Sequence, residues 1–460
     1  MSIATPITDF GKASFEDRTY AKVAWRLIPF LILCYVVAYL DRVNVGFAKL
    51  QMLSDLKFSD TVYGLGAGVF FIGFFIFEVP TNLLLHRIGA RKVITRIMIT
   101  WGALSALTMF VTTPTQFYTM RFVLGVAEAG FFPGMILYLT FWFPAERRSR
   151  MTGLFMTAVP ISGLLGGPVS GWIMQTFAGV NGWAGWQWLF LLEGLPAVCL
   201  GLMVWFYLDD GIASAKWLDD EEKRLLSSNI KRESPLKSSH SFKEALGDKK
   251  VWILSLVYFA VVMGLYGISF WLPTLIKSSG VTRPMDIGLL SAIPYAAAIA
   301  AMILVSRSAD SRRERKWHFA IPALLGALGL ILSVNFAQNT VLVIAALTLA
   351  CCGIMATLPL FWSYAPAFLG GTAAAGGIAL IGLIGNLAGF ASPYMVGYIK
   401  DLTQSTDAGI YALAACVVVS AILVMVSLYA FRERHPCVVE DDVLRECYAA
   451  TASVAGGRQL

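Results

Sequence analysis

Residues 209–250 read DDGIASAKWLDDEEKRLLSSNIKRESPLKSSHSFKEALGDKK. They form the one long polar interruption in an otherwise apolar chain. Working outward in both directions, the same pattern recurs. Apolar runs of about 20 residues, long enough to cross a bilayer as a helix, alternate with short polar or turn-rich breaks. Before the interruption the runs fall near 25–46, 61–84, 93–112, 116–141, 150–177 and 186–208. After it they fall near 251–276, 286–306, 317–336, 340–364, 372–399 and 408–431. Proline and glycine inside them are no veto, because neighbouring helices satisfy freed backbone groups. Six runs on each side of a polar linker suggest internal duplication. The predicted fold is therefore an all-α integral membrane protein of twelve transmembrane helices in two six-helix halves. Its parts are an N-terminal arm (1–24), a first bundle (25–208), the linker (209–250), a second bundle (251–431) and a tail (432–460). The linker is expected to carry a surface helix near Asp219–Ile230, to which no chemistry is assigned.

Composition agrees. Of 460 residues, 57% are hydrophobic and 14% charged, against about 25% charged in soluble domains. Mean hydropathy is +0.68. Disorder, a coiled coil and a secreted disulfide scaffold are all excluded. The cysteines (Cys34, Cys199, Cys351, Cys352, Cys416, Cys437 and Cys447) show no CxxC spacing and read as free, mostly buried thiols. Met1–Tyr20 lacks the apolar core of a signal peptide.

The net charge of +7 invites a nucleic-acid reading until the bases are placed. With both termini cytoplasmic, 29 of the 36 Lys and Arg fall on the cytoplasmic side. Five fall in outer loops: Lys49, Lys57, Lys277, Arg283 and Lys400. Such a bias sets membrane orientation, so both termini are expected to be cytoplasmic, with membrane lipid and no nucleic acid as surroundings. The remaining two bases, Arg42 and Arg121, lie inside predicted spans.

An ionised side chain at mid-bilayer costs at least about 2.5–3.5 kcal/mol and needs a partner, a wet cavity or a task. Six residues meet that description: Asp41, Arg42, Glu78, Arg121, Glu128 and Glu193. Asp41 and Arg42 are helix neighbours late in span 1. Arg121 and Glu128 lie two turns apart on one face of span 4, with Gly125 between them leaving room for a helix or a ligand. One reading is a buried ion-pair network tying span 1 to span 4. The favoured one is a central cavity, where guanidinium forks bind an anion and the acids take up and release protons. Glu78 and Glu193, nearer the span ends, are expected to make gate-side or structural hydrogen bonds.

Four segments resemble the major facilitator superfamily and, within it, the anion:cation symporters of tartrate, galactonate, phthalate and hydroxyphenylacetate. They are Tyr39-Leu-Asp-Arg-Val-Asn44, Phe77-Glu-Val-Pro-Thr-Asn-Leu-Leu-Leu-His-Arg-Ile-Gly-Ala-Arg91, Arg121-Phe-Val-Leu-Gly-Val-Ala-Glu-Ala-Gly-Phe-Phe-Pro-Gly134 and Trp186-Gln-Trp-Leu-Phe-Leu-Leu-Glu-Gly194. The resemblance implies the major facilitator fold over about residues 25–431. It implies that Arg42 and Arg121 engage a substrate carboxylate and that Asp41 and Glu128 are the proton-coupling acids. Tyr39 and Asn44 of the span 1 motif, with Trp362, Ser363 and Asn386 of the second half, are implied substrate contacts. Glu78, Asn82, Arg87, Arg91, Glu193 and Asp310 are implied gate or structural residues. The loop after span 2 departs from the superfamily pattern, with Asn82 in place of Gly and His86 in place of Asp. Gly163–Gly171 partly resembles a motif linked to antiport, but its glycines are read as helix packing. In span 11, a flexible gate helix and plain packing stay open.

HExxH, P-loop and GxSxG signatures are absent, and His86, His240, His318 and His435 fall in or beside predicted cytoplasmic segments. The expectation is no enzyme, no metal and no cofactor beyond protons as coupling ion. It is a monomeric, multi-pass transporter of the inner (plasma) membrane, importing an organic acid anion by proton symport with alternating access. A sodium-coupled or exchange carrier, or a non-transporting receptor, is the alternative.

Overall fold

In the computed structural model, residues 8–233, 242–312, 314–369 and 374–432 are described. His240, His435, Cys437, Cys447, Arg313, the tail beyond Arg432 and the His86 side chain lie outside that description. The first half contains α1 (Thr8–Val43), α2 (Val45–Leu56), α3 (Asp60–Ile88), α4 (Ala90–Leu107), α5 (Pro114–Glu128), α6 (Phe131–Thr140), α7 (Ala145–Met156), α8 (Ala158–Thr176) and α9 (Gly185–Tyr207). The linker holds α10 (Asp220–Glu233) and α11 (Phe242–Gly247). The second half follows as α12 (Lys249–Ser278), α13 (Pro284–Arg312), α14 (Lys316–Asn335), α15 (Thr340–Leu369), α16 (Ala374–Thr403) and α17 (Asp407–Arg432). Among the described residues, twelve helical segments are long and apolar enough to span a bilayer. They match the twelve runs seen in the sequence.

Two boundaries differ in an informative way. The first segment runs over Phe15–Leu56, 42 residues, far beyond 25–46. At 1.5 Å per residue it is roughly twice as long as the hydrocarbon core is thick. Its polar extension, placed in the arm by sequence, continues the helix and is pinned by side chains. Arg147 Nη2 reaches Asp17 at 2.6 Å, Lys22 Nζ reaches Glu222 of α10 at 2.7 Å, and Tyr207 Oη donates to the Arg26 carbonyl at 2.9 Å. The linker helix is thus docked on the first half. Span 4 is broken at Ala129–Gly130, where Gly130 has φ of 82°. That left-handed value suits glycine, and it ends α5 directly after Glu128.

The halves meet chiefly along two pairs, α3 with α16 and α8 with α13, and also where α2 packs on α12. Gly167 of α8 faces the Gly288 carbonyl, where an added Cβ would come within 2.5 Å. Gly167 and Gly171 thus meet the backbone of α13, while Gly163 and Gly166 meet the Tyr295 and Leu40 side chains. In α16, Gly385 and Gly389 lie against the Tyr258 and Phe71 rings, which is packing too.

The end of the bundle away from the termini is closed. Asp401 of α16 accepts from the Asp60 and Thr61 backbone N–H groups of α3 at 3.1 and 2.8 Å. Lys400 pairs with Asp60 at 3.1 Å. Tyr63 Oη donates to the Phe270 carbonyl at 2.9 Å, and Lys277 Nζ to the Leu50 carbonyl at 2.9 Å. Lys49, expected in an exposed loop, is instead buried on α2. Its Nζ lies 2.7 Å from Asp60 and 3.2 Å from the centre of the Trp271 ring. The reason is length: α2 carries the first span farther than the apolar run suggests, and Lys49 faces the seam.

Candidate substrate and proton site

Arg42, near the end of α1, and Glu128, the last residue of α5, are both buried and form an ion pair. Arg42 Nε donates to Glu128 Oε1 at 3.1 Å, and Nη2 contacts the same oxygen. Arg42 Nη1 reaches across the seam to Tyr266 Oη of α12 at 3.4 Å. The rings of Tyr39, Phe70 and Phe74 lie 5.4–5.8 Å from its guanidinium carbon. The network reading of the sequence is thus realised for this one pair.

Arg121 is different. It is fully buried, and none of its three guanidinium nitrogens has a hydrogen-bond partner among the described residues. The Phe70 ring lies 5.0 Å from its guanidinium carbon. A cation–π contact contributes about 0.5–2 kcal/mol. Leaving a buried charge without its partner costs roughly 3–5 kcal/mol. The five N–H donors of Arg121 lie in the same buried charged cluster as the Arg42–Glu128 pair.

Gly125, between Arg121 and Glu128, leaves no ligand space. A Cβ there would lie 1.9 Å from the Phe70 carbonyl, so its role is to let α3 pack on α5.

Asp41 is not paired with either arginine. Trp101 Nε1 donates to its Oδ2 at 2.6 Å and Ser105 Oγ to its Oδ1 at 2.7 Å, both from α4. Asn44 Nδ2 adds a contact at 3.3 Å to Oδ1. Being one residue from Arg42, Asp41 points about 100° away around the helix, which turns it to α4 while Arg42 faces α5. Asn44, implied as a substrate contact, therefore sits among acids. Glu193 of α9 accepts from Ser170 Oγ at 2.7 Å.

A second layer lies toward the terminal side. Asn386 Nδ2 of α16 donates to Glu78 Oε2 of α3 at 3.3 Å, joining the two halves. Tyr258 of α12, two turns from Tyr266, contacts the rings of Phe361 and Trp362 at 4.8 and 4.9 Å. Asn386 and Trp362 thus border the seam. Ser363 does not join them: it is exposed, bonds its own helix at Leu360, and its carbonyl accepts from Arg315. The long run of α15 carries it to the terminal end.

The expected gate residues are dispersed. Arg91 engages Asp210, through its backbone N–H at 3.0 Å and its Nε at 3.8 Å, within the first half. Arg87 and Asp310 are exposed. Asn82 Oδ1 is buried without a hydrogen-bond partner among the described residues, near Gly130. A cavity of about 830 Å³ on the terminal side is lined by Asp17, Trp25, Arg147 and Leu154, and none of the central charged residues lines it.

The description Major Facilitator Superfamily matches residues 31–393. The chain belongs to that superfamily. Its relatives in the superfamily include a putative metabolite transport protein, NicT, of Pseudomonas putida, 48% identical over 88% of this chain and 93% of its own. A putative tartrate transporter of Agrobacterium vitis is 49% identical over 90% of this chain and 95% of its own. Among solved superfamily structures, a bacterial homologue of the lysosomal transporter Spinster, inward-facing and occupied, aligns with a TM-score of 0.69. It covers 88% of this chain and 97% of its own at 15% identity, so it speaks for the fold alone. This major facilitator protein is a multi-pass secondary transporter of a small molecule, not an enzyme.

Sequence reasoning missed Tyr266, Trp101 and Ser105 as partners of the central charges. Neutral side chains in apolar spans carry no anomaly that marks them. They become visible only once α4 and α12 are packed against α1.

Proposed function

We propose that this protein imports an organic acid anion by proton symport across the inner membrane, with both termini cytoplasmic. The reading is carried by Arg121, a buried guanidinium without a hydrogen-bond partner, in the same charged cluster as the Arg42–Glu128 pair. A carboxylate entering there supplies acceptors that no described residue gives Arg121, and it competes with Glu128 for Arg42. A proton on Glu128 removes that competition. Loss of the proton restores the ion pair and expels the substrate. With cytoplasmic termini, the closed end is the outer one. A relative named as a putative tartrate transporter supports a carboxylate class. Asp41 acts as the second acid, its carboxylate held by α4 rather than by an arginine.

In proteoliposomes with an imposed pH gradient, Arg42→Ala and Arg121→Ala each abolish uptake of organic acids. Glu128→Gln leaves exchange but no gradient-driven accumulation. Normal concentrative uptake by Glu128→Gln overturns the proton assignment. Uptake that survives a collapsed pH gradient and depends on sodium assigns the coupling to sodium.

A further inference from the structure

Arg42 turns Nε and Nη2 to one oxygen of Glu128. Its remaining nitrogen, Nη1, crosses the seam and donates to Tyr266 Oη of α12 at 3.4 Å. Tyr266 is 5% exposed. Among the described residues, it is the one second-half side chain that hydrogen-bonds any of Asp41, Arg42, Arg121 and Glu128. A phenol hydroxyl both accepts and donates. The Tyr266 oxygen accepts from Arg42, and no described residue accepts its hydrogen. Leaving a buried donor unpaired is costly. The hydroxyl is therefore an unused donor beside the one edge of Arg42 that Glu128 leaves open.

The polar groups expected to serve the second half are engaged elsewhere. Asn386 donates to Glu78, and Ser363 bonds its own helix at the terminal end. Packing meanwhile fixes the Tyr266 ring. Phe71 of α3 meets it at 4.6 Å and Phe270 stacks on it at 5.9 Å. Phe270, one turn along α12, belongs to the closed outer end. Its carbonyl accepts from Tyr63 Oη at 2.9 Å, and a Cβ on Gly46 of α2 would lie 3.0 Å from it. Trp271, the next residue, covers Lys49. One turn of α12 thus connects Arg42 with the outer seal.

We propose that Tyr266 is the second-half ligand of the substrate anion, and that through it an occupied site holds the outer end shut. The assignment rests on the organic-anion reading of the arginine site. A carboxylate oxygen at Arg42 Nη1 accepts from that nitrogen and from the Tyr266 hydroxyl, so the anion is gripped by both halves. The contact given up, at 3.4 Å, is long for a hydrogen bond, and the one gained has a charged acceptor. A ligand shifts a conformational equilibrium only by its differential affinity for the two states. Tyr266 supplies that difference, because its hydroxyl reaches the anion only while α12 lies beside Arg42.

Tyr266→Phe removes the hydroxyl and keeps both ring contacts, so without substrate its thermal unfolding temperature stays at the wild-type value. Initial uptake of tartrate, galactonate, phthalate and hydroxyphenylacetate is measured in proteoliposomes for wild type, Tyr266→Phe and Arg121→Ala. For each acid that the wild type takes up, KM in Tyr266→Phe rises about 10- to 150-fold, as for loss of one hydrogen bond to a charged group. A second measurement reads the coupling. In the wild type, a saturating acid slows the labelling of a cysteine introduced beside the outer seam by a membrane-impermeant thiol reagent. In Tyr266→Phe, saturated at its own higher KM, that protection is lost, a change that a purely structural contact would not produce. A wild-type KM in Tyr266→Phe, as when a water rather than the anion takes the phenol hydrogen, overturns the proposal. So does a lower maximal rate at unchanged KM. Protection that persists in Tyr266→Phe overturns the link to the outer end. A wild type that takes up none of the four acids, or an Arg121→Ala that takes them up with the wild-type KM, defeats the organic-anion reading, and the Tyr266 assignment falls with it. An inactive Arg121→Ala beside a Tyr266→Phe that matches wild type refutes Tyr266 alone.

Discussion

At the scale of single residues, chemistry follows from which way each side chain is turned. Adjacent Asp41 and Arg42 carry opposite charges, yet they serve different helices, because helical neighbours diverge by about 100°. Sequence located both and the need for partners, but not the partners themselves. It grouped Asp41 with the arginines, whereas α4 holds it. Arg121 is a charge within an apolar run, and in the structure its five N–H donors have no hydrogen-bond partner among the described residues. Its fork is what recognises a carboxylate. Arg121→Lys keeps the charge and loses the fork. One or more charge-assisted hydrogen bonds are each worth about 1.5–3 kcal/mol, so the apparent KM for a carboxylate substrate rises about 10- to 150-fold, read from initial uptake rates in proteoliposomes.

At the scale of helices, small residues decide how near two backbones come. The spacing Arg121-x-x-x-Gly125-x-x-Glu128 admits a ligand or a helix in sequence, and α3 takes the place. Gly125→Ala pushes a methyl group toward the Phe70 carbonyl, which would lie 1.9 Å away. It should cost about 1–3 kcal/mol by overpacking and lower the thermal unfolding temperature of the purified protein. Gly382→Ala on α16 meets nothing within 4 Å. It should leave that temperature unchanged or raise it, because glycine inside a helix is less favourable than alanine by about 0.5–1 kcal/mol. An equal loss in both variants argues against close packing as the role of Gly125. The break at Ala129–Gly130 was also within reach of sequence: a glycine three residues before Pro133 can end one helix and start another. Lys49 was misplaced because hydropathy marks the apolar part of a helix and says nothing about where its polar end stops.

At the scale of the whole molecule, the two halves are held at one end by a small set of polar contacts. Asp401 caps the start of α3 from the opposite half, and Asp60 sits between Lys49 and Lys400. Removing a helix cap costs about 0.5–2 kcal/mol, and one or two kcal/mol is a factor of 5–30 in a two-state ratio. Asp401→Ala is therefore expected to raise the population open at that end several-fold. A single cysteine introduced beside the seam, labelled with a membrane-impermeant thiol reagent, reads this out as faster labelling. Unchanged labelling denies these contacts a latching role. Twelve spans in six-and-six order, the membrane environment and the identity of the charged residues were all determined by sequence, because length and hydropathy are properties of consecutive residues and a charge in an apolar run is visible without neighbours. The sharing of acids between arginine, tryptophan and amide, the closed end and the burial of Lys49 were decided by tertiary structure alone. Those depend on residues far apart in the chain, brought together only when α1, α4, α9 and α12 pack.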